Sequence, residues 1–323
     1  MLSFFRSKER SKPKPPIIEM EMSWFDRCVD HSGKLPRVNW EAVYQYSGQH
    51  YDDQSQEALW CNIARYWMEK LVDQLPGNYS QLESDNFLLV SAGDERYNKN
   101  LSNFLERCLK RLLFVSKGVF SDEGYGKYVV VVFDSVESYY DYVGYLYGAD
   151  GEYGLSSGMY INNGYGHFVF TQQELNTVEQ IAAHEMTHAL LSHLPIPLWL
   201  NEGMAVNMES FITGYRPEGL TESIFHQHQN FWKSDEIQQF WQGESFYRPD
   251  EGQGLSYQLA QILVPQLSKD ADAFERFINK AHHSDAGEKA MQEVYGMSLG
   301  DLLTGFLGEG AWEPTPSLWL SNS

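Results

Sequence analysis

"AAHEMTHALLSHLPIPLWLNEGMA", residues 182–205 of a 323-residue chain, sets three histidines and two glutamates into an otherwise apolar run. Upstream it continues as "TVEQIAAHEMTHALLSH" without Gly or Pro, and Pro195 and Pro197 then stop it. This predicts a long, largely buried helix, a turn, and a second helix opening at "LWLNEG". Each helical residue advances about 100° and about 1.5 Å, so His184 and His188 lie roughly 40° and 6 Å apart on one face. Both imidazoles can therefore reach one metal ion. Glu185 is one step round from His184, close enough to hold a water on that ion while staying out of the ligand set.

A metal that performs hydrolysis wants three protein donors and an open position, and Glu202 on the second helix is the third donor if the prolines turn the chain back. The expected cofactor is one Zn²⁺ per chain, which lowers the pKa of a water from 15.7 toward about 7 so that Glu185 can take its proton. His193, five residues after His188, points about 140° away on the helix and is expected as a helix-end residue instead.

The rest of the chain supplies the setting. Lys and Arg number 24 against 44 Asp and Glu, a formal charge of -20, which disfavours nucleic acid and anionic membranes as partners. Residues 1–16, "MLSFFRSKERSKPKPP", run the other way and read as a disordered basic arm. Neither an export signal nor an apolar window long enough to span a membrane is found, and Cys28, Cys61 and Cys108 read as reduced thiols, so a cytoplasmic protein is expected.

Leu59, Ile63, Trp67 and Leu71 recur four apart within a helical stretch over 38–75, which gives a helical N-terminal extension at 17–80. "NFLLVSA" (86–92) and "YVVVVF" (128–133) read as strands, each followed by a helix, the second opening with Asp134 and Glu137 at capping-box spacing. "GMYINNGYGHFVFT" (158–171) reads as a hairpin around "NNGYG". Asn176 and Glu179 again sit at capping-box spacing before the motif helix, and 220–310 reads as helical throughout. In "FHQHQNFW", His226 and His228 are two apart, share no helix face, and are expected at the surface.

With "HEMTH" and "WLNEGMA" in place, the chain resembles the gluzincin metallopeptidases, whose pattern is H-E-x-x-H and then a glutamate on the next helix, often within W-L-x-E-G-x-A. The short gap from His188 to Glu202 resembles the compact MA-like peptidase families more than the thermolysin or aminopeptidase branches. The resemblance covers about residues 84 to 308. It implies an α+β, zincin-like (thermolysin-like) domain over 81–312, with a small mixed sheet, an edge hairpin and a mostly helical C-terminal half, and leaves 313–323 as a tail.

It implies a zinc-dependent peptidase acting on a peptide or protein substrate, with His184, His188 and Glu202 on the metal and Glu185 as general base. Tyr257 in "GLSYQLAQ" is the oxyanion donor that the resemblance implies, its alternative being a packing aromatic. The hairpin before the motif helix falls where zincins pair an edge strand with extended substrate, its alternative being an ordinary hairpin. Gluzincin aminopeptidases carry a Gly-x-Met-Glu-Asn segment there; this chain has "GMYIN", with Tyr160 and Ile161 and no such glutamate, so endopeptidase activity is favoured. A metzincin would need a Gly and a third His where Leu191 and Leu194 stand. The rival reading is a non-catalytic or latent zincin scaffold that binds a peptide or partner protein.

Overall fold

A computed structural model describes residues 20–33, 35–116, 118–147, 157–215 and 221–319. The basic arm expected at 1–16 and residues 320–323 of the tail lie outside the described residues. A two-stranded antiparallel ladder, β1 (Val29–Asp30) with β2 (Arg37–Val38), precedes α1 (Trp40–His50) and α2 (Asp53–Val72). Next come β3 (Ser80–Glu83), β4 (Phe87–Ser91), α3 (Glu95–Val115), β5 (Tyr128–Phe133) and α4 (Val136–Tyr147). The hairpin β6 (Gly158–Ile161) and β7 (His167–Thr171) leads into α5 (Leu175–Leu191) and α6 (Leu198–Thr213). The remainder is helical: α7 (Glu222–Phe231), α8 (Ser234–Gln242), α9 (Glu251–Leu267), α10 (Ala271–Lys280), α11 (Glu288–Tyr295), α12 (Leu299–Leu307) and α13 (Pro316–Trp319).

The architecture is α+β, with one small mixed sheet of order β3-β4-β5-β7-β6. β4, β5 and β7 run parallel, while β3 and β6 pair antiparallel at the two edges. Contacts divide the chain into two compact units: the described residues within 8–110 and 122–189, and those within 111–121 and 190–323. The helices before residue 80 belong to the same unit as the sheet.

In the sheet unit, Leu88, Val90, Val129, Val131 and Val169 on one face form a single core with Leu59, Ile63, Trp67 and Leu71 of α2 and Tyr139, Tyr142 and Val143 of α4. The four α2 residues are the stripe seen in the sequence. Trp40 of α1 meets Trp67 edge-on, with ring centroids 5.0 Å apart, and this aromatic mass covers much of the face. The helical stretch over 38–75 is two helices, because the Asp52 carboxylate accepts from the Ser55 amide and starts α2 afresh.

Two caps fall elsewhere than the spacing suggested. The Ser135 hydroxyl accepts from the Ser138 amide, while Asp134 accepts from the Ser138 hydroxyl and the Tyr79 phenol. α5 begins at Leu175, ahead of Asn176, whose side chain reaches only the next amide, that of Thr177. α4 starts at Val136, which puts Ser135 and not Asp134 at the capping position, and Asp134 bridges to Tyr79 instead.

His167 on β7 is buried beneath this face. Its Nδ1 lies 2.7 Å from the Tyr165 carbonyl, which can only accept, so Nδ1 carries the proton and Nε2 accepts from the Tyr142 hydroxyl at 2.8 Å. Burial holds its pKa down to about 4. The folded value lies below the unfolded value of about 6.5, so this stability is full above that pH and is lost as pH falls toward 4, of order 3 kcal/mol in total. Urea midpoints between pH 7 and 4.5 should therefore fall more steeply in wild type than in His167→Gln, which keeps a donor and an acceptor; equal slopes would count against this account.

In the helical unit, α6 and α9 pack closely. Gly203 makes that possible, since a Cβ there would lie 2.7 Å from the Ala260 carbonyl oxygen. The Asn207 amide ties the pair by donating to the carbonyls of Gly203 (2.7 Å) and Gln261 (3.1 Å). Trp199 is fully buried against Trp241, its indole N–H donating to the Ala286 carbonyl at 3.0 Å. Arg111 donates to the carbonyls of Ile212 and Phe211 and closes the C-terminal end of α6.

His226 is exposed as expected, but His228 is fully buried, a correction that follows from the spacing itself: residues two apart face opposite sides. The Trp232 indole N–H donates to His228 Nδ1 at 2.9 Å, so Nε2 carries the proton and donates to Gln258 at 2.9 Å. Among the described residues no helix is long and apolar enough to cross a membrane.

Candidate metal centre

α5 is buried on most sides through Val178, Ala182, Ala183, Met186 and Leu190, which fixes its rotation and leaves His184 and His188 together on a half-buried face. Their ring centroids are 4.7 Å apart and the rings nearly perpendicular, at 80°. The end of α5 is closed by the Leu194 amide on the Leu191 carbonyl, and the Leu200 and Asn201 amides then bond the Pro197 carbonyl. The Pro195-Ile196-Pro197 turn thus ends one helix and starts the next, as the sequence implied. One turn into α6 stands Glu202, buried between Trp199 in its aromatic cluster and Gly203 on the α9 backbone.

Ligand atoms of His184, His188 and Glu202 all lie within 4.8 Å of one another, the one such group of His, Cys, Asp and Glu among the described residues. These three residues could hold a metal ion. Zinc–nitrogen and zinc–oxygen bonds of about 2.0–2.2 Å put tetrahedral donors about 3.4 Å apart, which small side-chain rotations reach from such a cluster. Two neutral imidazoles and one carboxylate suit a borderline-soft divalent ion and leave a fourth position unfilled by protein.

Glu185 is not in that group. Its carboxylate Oε2 accepts from the Tyr160 backbone N–H on β6 at 2.7 Å, so the residue beside the first histidine is tied to the edge strand. His193 is exposed in the turn after α5, outside the donor group. Tyr257 on α9 is half-buried and meets Phe246 edge-on, centroids 5.2 Å apart. It stands one turn before Ala260, whose carbonyl faces Gly203, so it lies on the side of α9 that packs on the Glu202 helix.

Sequence reasoning passed over Tyr247. Its phenol pKa is raised by desolvation first and by the negative charge of Glu202 second, which puts it within the field of the glutamate. Nothing in "ESFY" marks this residue. Its position depends on the 3-10 turn Glu244–Tyr247, held by Gly243 (φ 96°) against Leu198 and by the buried Ser245–Ser256 hydroxyl pair at 2.7 Å. Leu198 and Glu202 are four apart on α6 and share a face, so the turn that seats on one borders the other.

Gly203→Ala should cost about 1–3 kcal/mol by overpacking the α6–α9 contact, read as a lower denaturant midpoint with unchanged slope. A midpoint equal to that of wild type would show that α9 yields freely. A scan against models of known protein families matches none, and a search of the curated proteins finds no match.

Proposed function

We propose that the protein is a zinc-dependent peptidase of the gluzincin type with a zincin-like fold, cutting within extended peptides. The observation that carries this reading is the convergence of His184, His188 and Glu202 within 4.8 Å, with Glu185 adjacent on the same helix. Zinc in that group supplies Lewis acidity, which acidifies water and polarises a carbonyl. Glu185 would take the proton of the attacking water and pass it to the departing amine. Tyr257, on the α9 side that faces α6, is the donor assigned to the oxygen on which charge develops. β6, the last strand of the sheet among the described residues, is the strand along which the resemblance would align an extended peptide.

The decisive experiment incubates purified protein with a proteome-derived peptide mixture, beside Glu185→Gln and with and without chelator. Cleavage that is chelator-sensitive and lost in Glu185→Gln is the expected result. About one zinc per chain with no cleavage would replace the reading with a zincin scaffold that binds without cutting, and absence of stoichiometric metal would remove both.

A further inference from the structure

Asn162, Asn163, Gly164, Tyr165 and Gly166 join β6 to β7, and both glycines of this turn admit an aromatic ring. Gly164 sits at φ 64°, which L side chains rarely adopt, and a Cβ there would fall on the Trp40 indole. A Cβ on Gly166 would run into the Tyr160 phenol. Between them Tyr165 turns inward and is buried. Its ring packs with those of Trp40, Trp60 and Trp67, and its hydroxyl donates to the Lys127 carbonyl.

The indole on Gly164 comes from α1. Asn39 caps that helix by accepting from the Ala42 amide, which puts Trp40 in the first turn and Tyr44 one turn on, along the same face. The Tyr44 hydroxyl donates to the Gly164 carbonyl at 2.9 Å, while the residue stays half exposed. α1 therefore holds the hairpin turn twice, by a ring laid on a glycine and by a hydrogen bond to that glycine's carbonyl.

The other glycine links the turn to α5. The Tyr160 ring crosses Gly166 and meets Phe168, with centroids 5.1 Å apart. The Thr171 amide donates to the Ser157 carbonyl at 2.9 Å, and bonded and non-bonded pairs alternate along an antiparallel ladder. Tyr160↔Phe168 is consequently a non-bonded pair, and the Tyr160 N–H points away from β7. It donates to Glu185 Oε2 at 2.7 Å, a charge-assisted bond. A displaced turn would thus carry the Tyr160 ring, and with it the amide that orients Glu185.

We propose that α1 is a clamp on Glu185: Trp40 and Tyr44 are positioning residues that fix the 162–166 turn and, through Tyr160, the direction of the Glu185 carboxylate. That Glu185 acts as a base rests on the peptidase reading, whereas its placement by α1 does not.

The test follows one amide. Full-length protein carrying ¹⁵N only in tyrosine gives the Tyr160 amide resonance, identified by its absence from Tyr160→Phe. Glu185→Ala sets the direction in which that resonance moves when the bond is lost. Trp40→Ala should move it the same way, and Trp40→Phe, whose ring can still lie on Gly164, should move it less. Leu71→Val, which thins the same core one helical turn beyond Trp67, should leave it in place. On peptides that wild type cleaves, Trp40→Ala should lower kcat about ten-fold or more with KM within about two-fold, the signature of a misplaced group and not of lost binding.

A Tyr160 resonance that Trp40→Ala leaves in place overturns the proposal, as does an equal shift in Leu71→Val or an unchanged kcat on peptides that wild type cleaves. Should Trp40→Ala not fold, Tyr44→Phe replaces it, losing one hydroxyl at a half-exposed position, and the Tyr160 resonance must still move toward its Glu185→Ala place. No movement there overturns the proposal too. A moved resonance in a protein whose wild type cleaves nothing would sink the peptidase reading alone, and cleavage with the resonance in place would sink this inference alone.

Discussion

His188→Ala is expected to reduce bound zinc from about one ion per chain to under about a tenth, measured by elemental analysis after equilibration at micromolar zinc. The cause is geometric. His184 and His188 are held on one face of α5 by the burial of Ala182, Ala183, Met186 and Leu190 around them, so no other side chain of that helix can turn in to replace the lost donor. Groups that merely orient metal ligands are worth about 10–100-fold in affinity, so a lost ligand should cost more than about 100-fold. Because metal at free concentration c that binds only the folded chain stabilises it by RT ln(1 + c/Kd), the zinc-dependent rise in melting temperature should disappear with the metal. Stoichiometric zinc in His188→Ala would mean that the donor group is not the metal centre.

Glu185→Gln separates binding from chemistry. The amide keeps the size of the side chain and an oxygen that can still accept from the Tyr160 N–H, so the fold and the zinc content should stay as in wild type. It cannot take a proton, and removing a general base typically costs about 10²–10⁴-fold, so kcat should fall by about that factor on any cleaved peptide. A variant that loses zinc as well would place Glu185 among the ligands. One that keeps full activity would assign the base to another group.

The sequence disclosed the donor group because its information is local. A four-residue spacing on a helix fixes two donors without reference to the rest of the fold, and two prolines announce the turn that brings Glu202 round. The strands β4, β5 and the hairpin β6–β7 were equally readable, being short β-branched or alternating runs bounded by turn residues.

What stayed hidden depends on partners far along the chain. Nothing near Tyr160 says that its amide faces Glu185, since that follows from which hairpin pairs are bonded. His228 looked like a surface residue until Trp232 and Gln258 filled both of its ring nitrogens. The aromatic helices before residue 80 were readable as helices, but their sharing of a core with the sheet shows only in the fold, where Trp67 and Leu71 join Val129 and Val131 in one cluster. Tyr247 comes into the field of Glu202 only through the seating of a turn on Leu198.

α6 carries two roles on adjacent residues: Glu202 belongs to the donor group, and Gly203 lies flush on the backbone of α9. On the peptidase reading proposed above, zinc affinity would be a gauge of apolar packing one residue away. A variant that loosens the α6–α9 seam should then register first as a rightward shift in a zinc titration, before any loss of helix content, so that a bound metal would report strain in that part of the core.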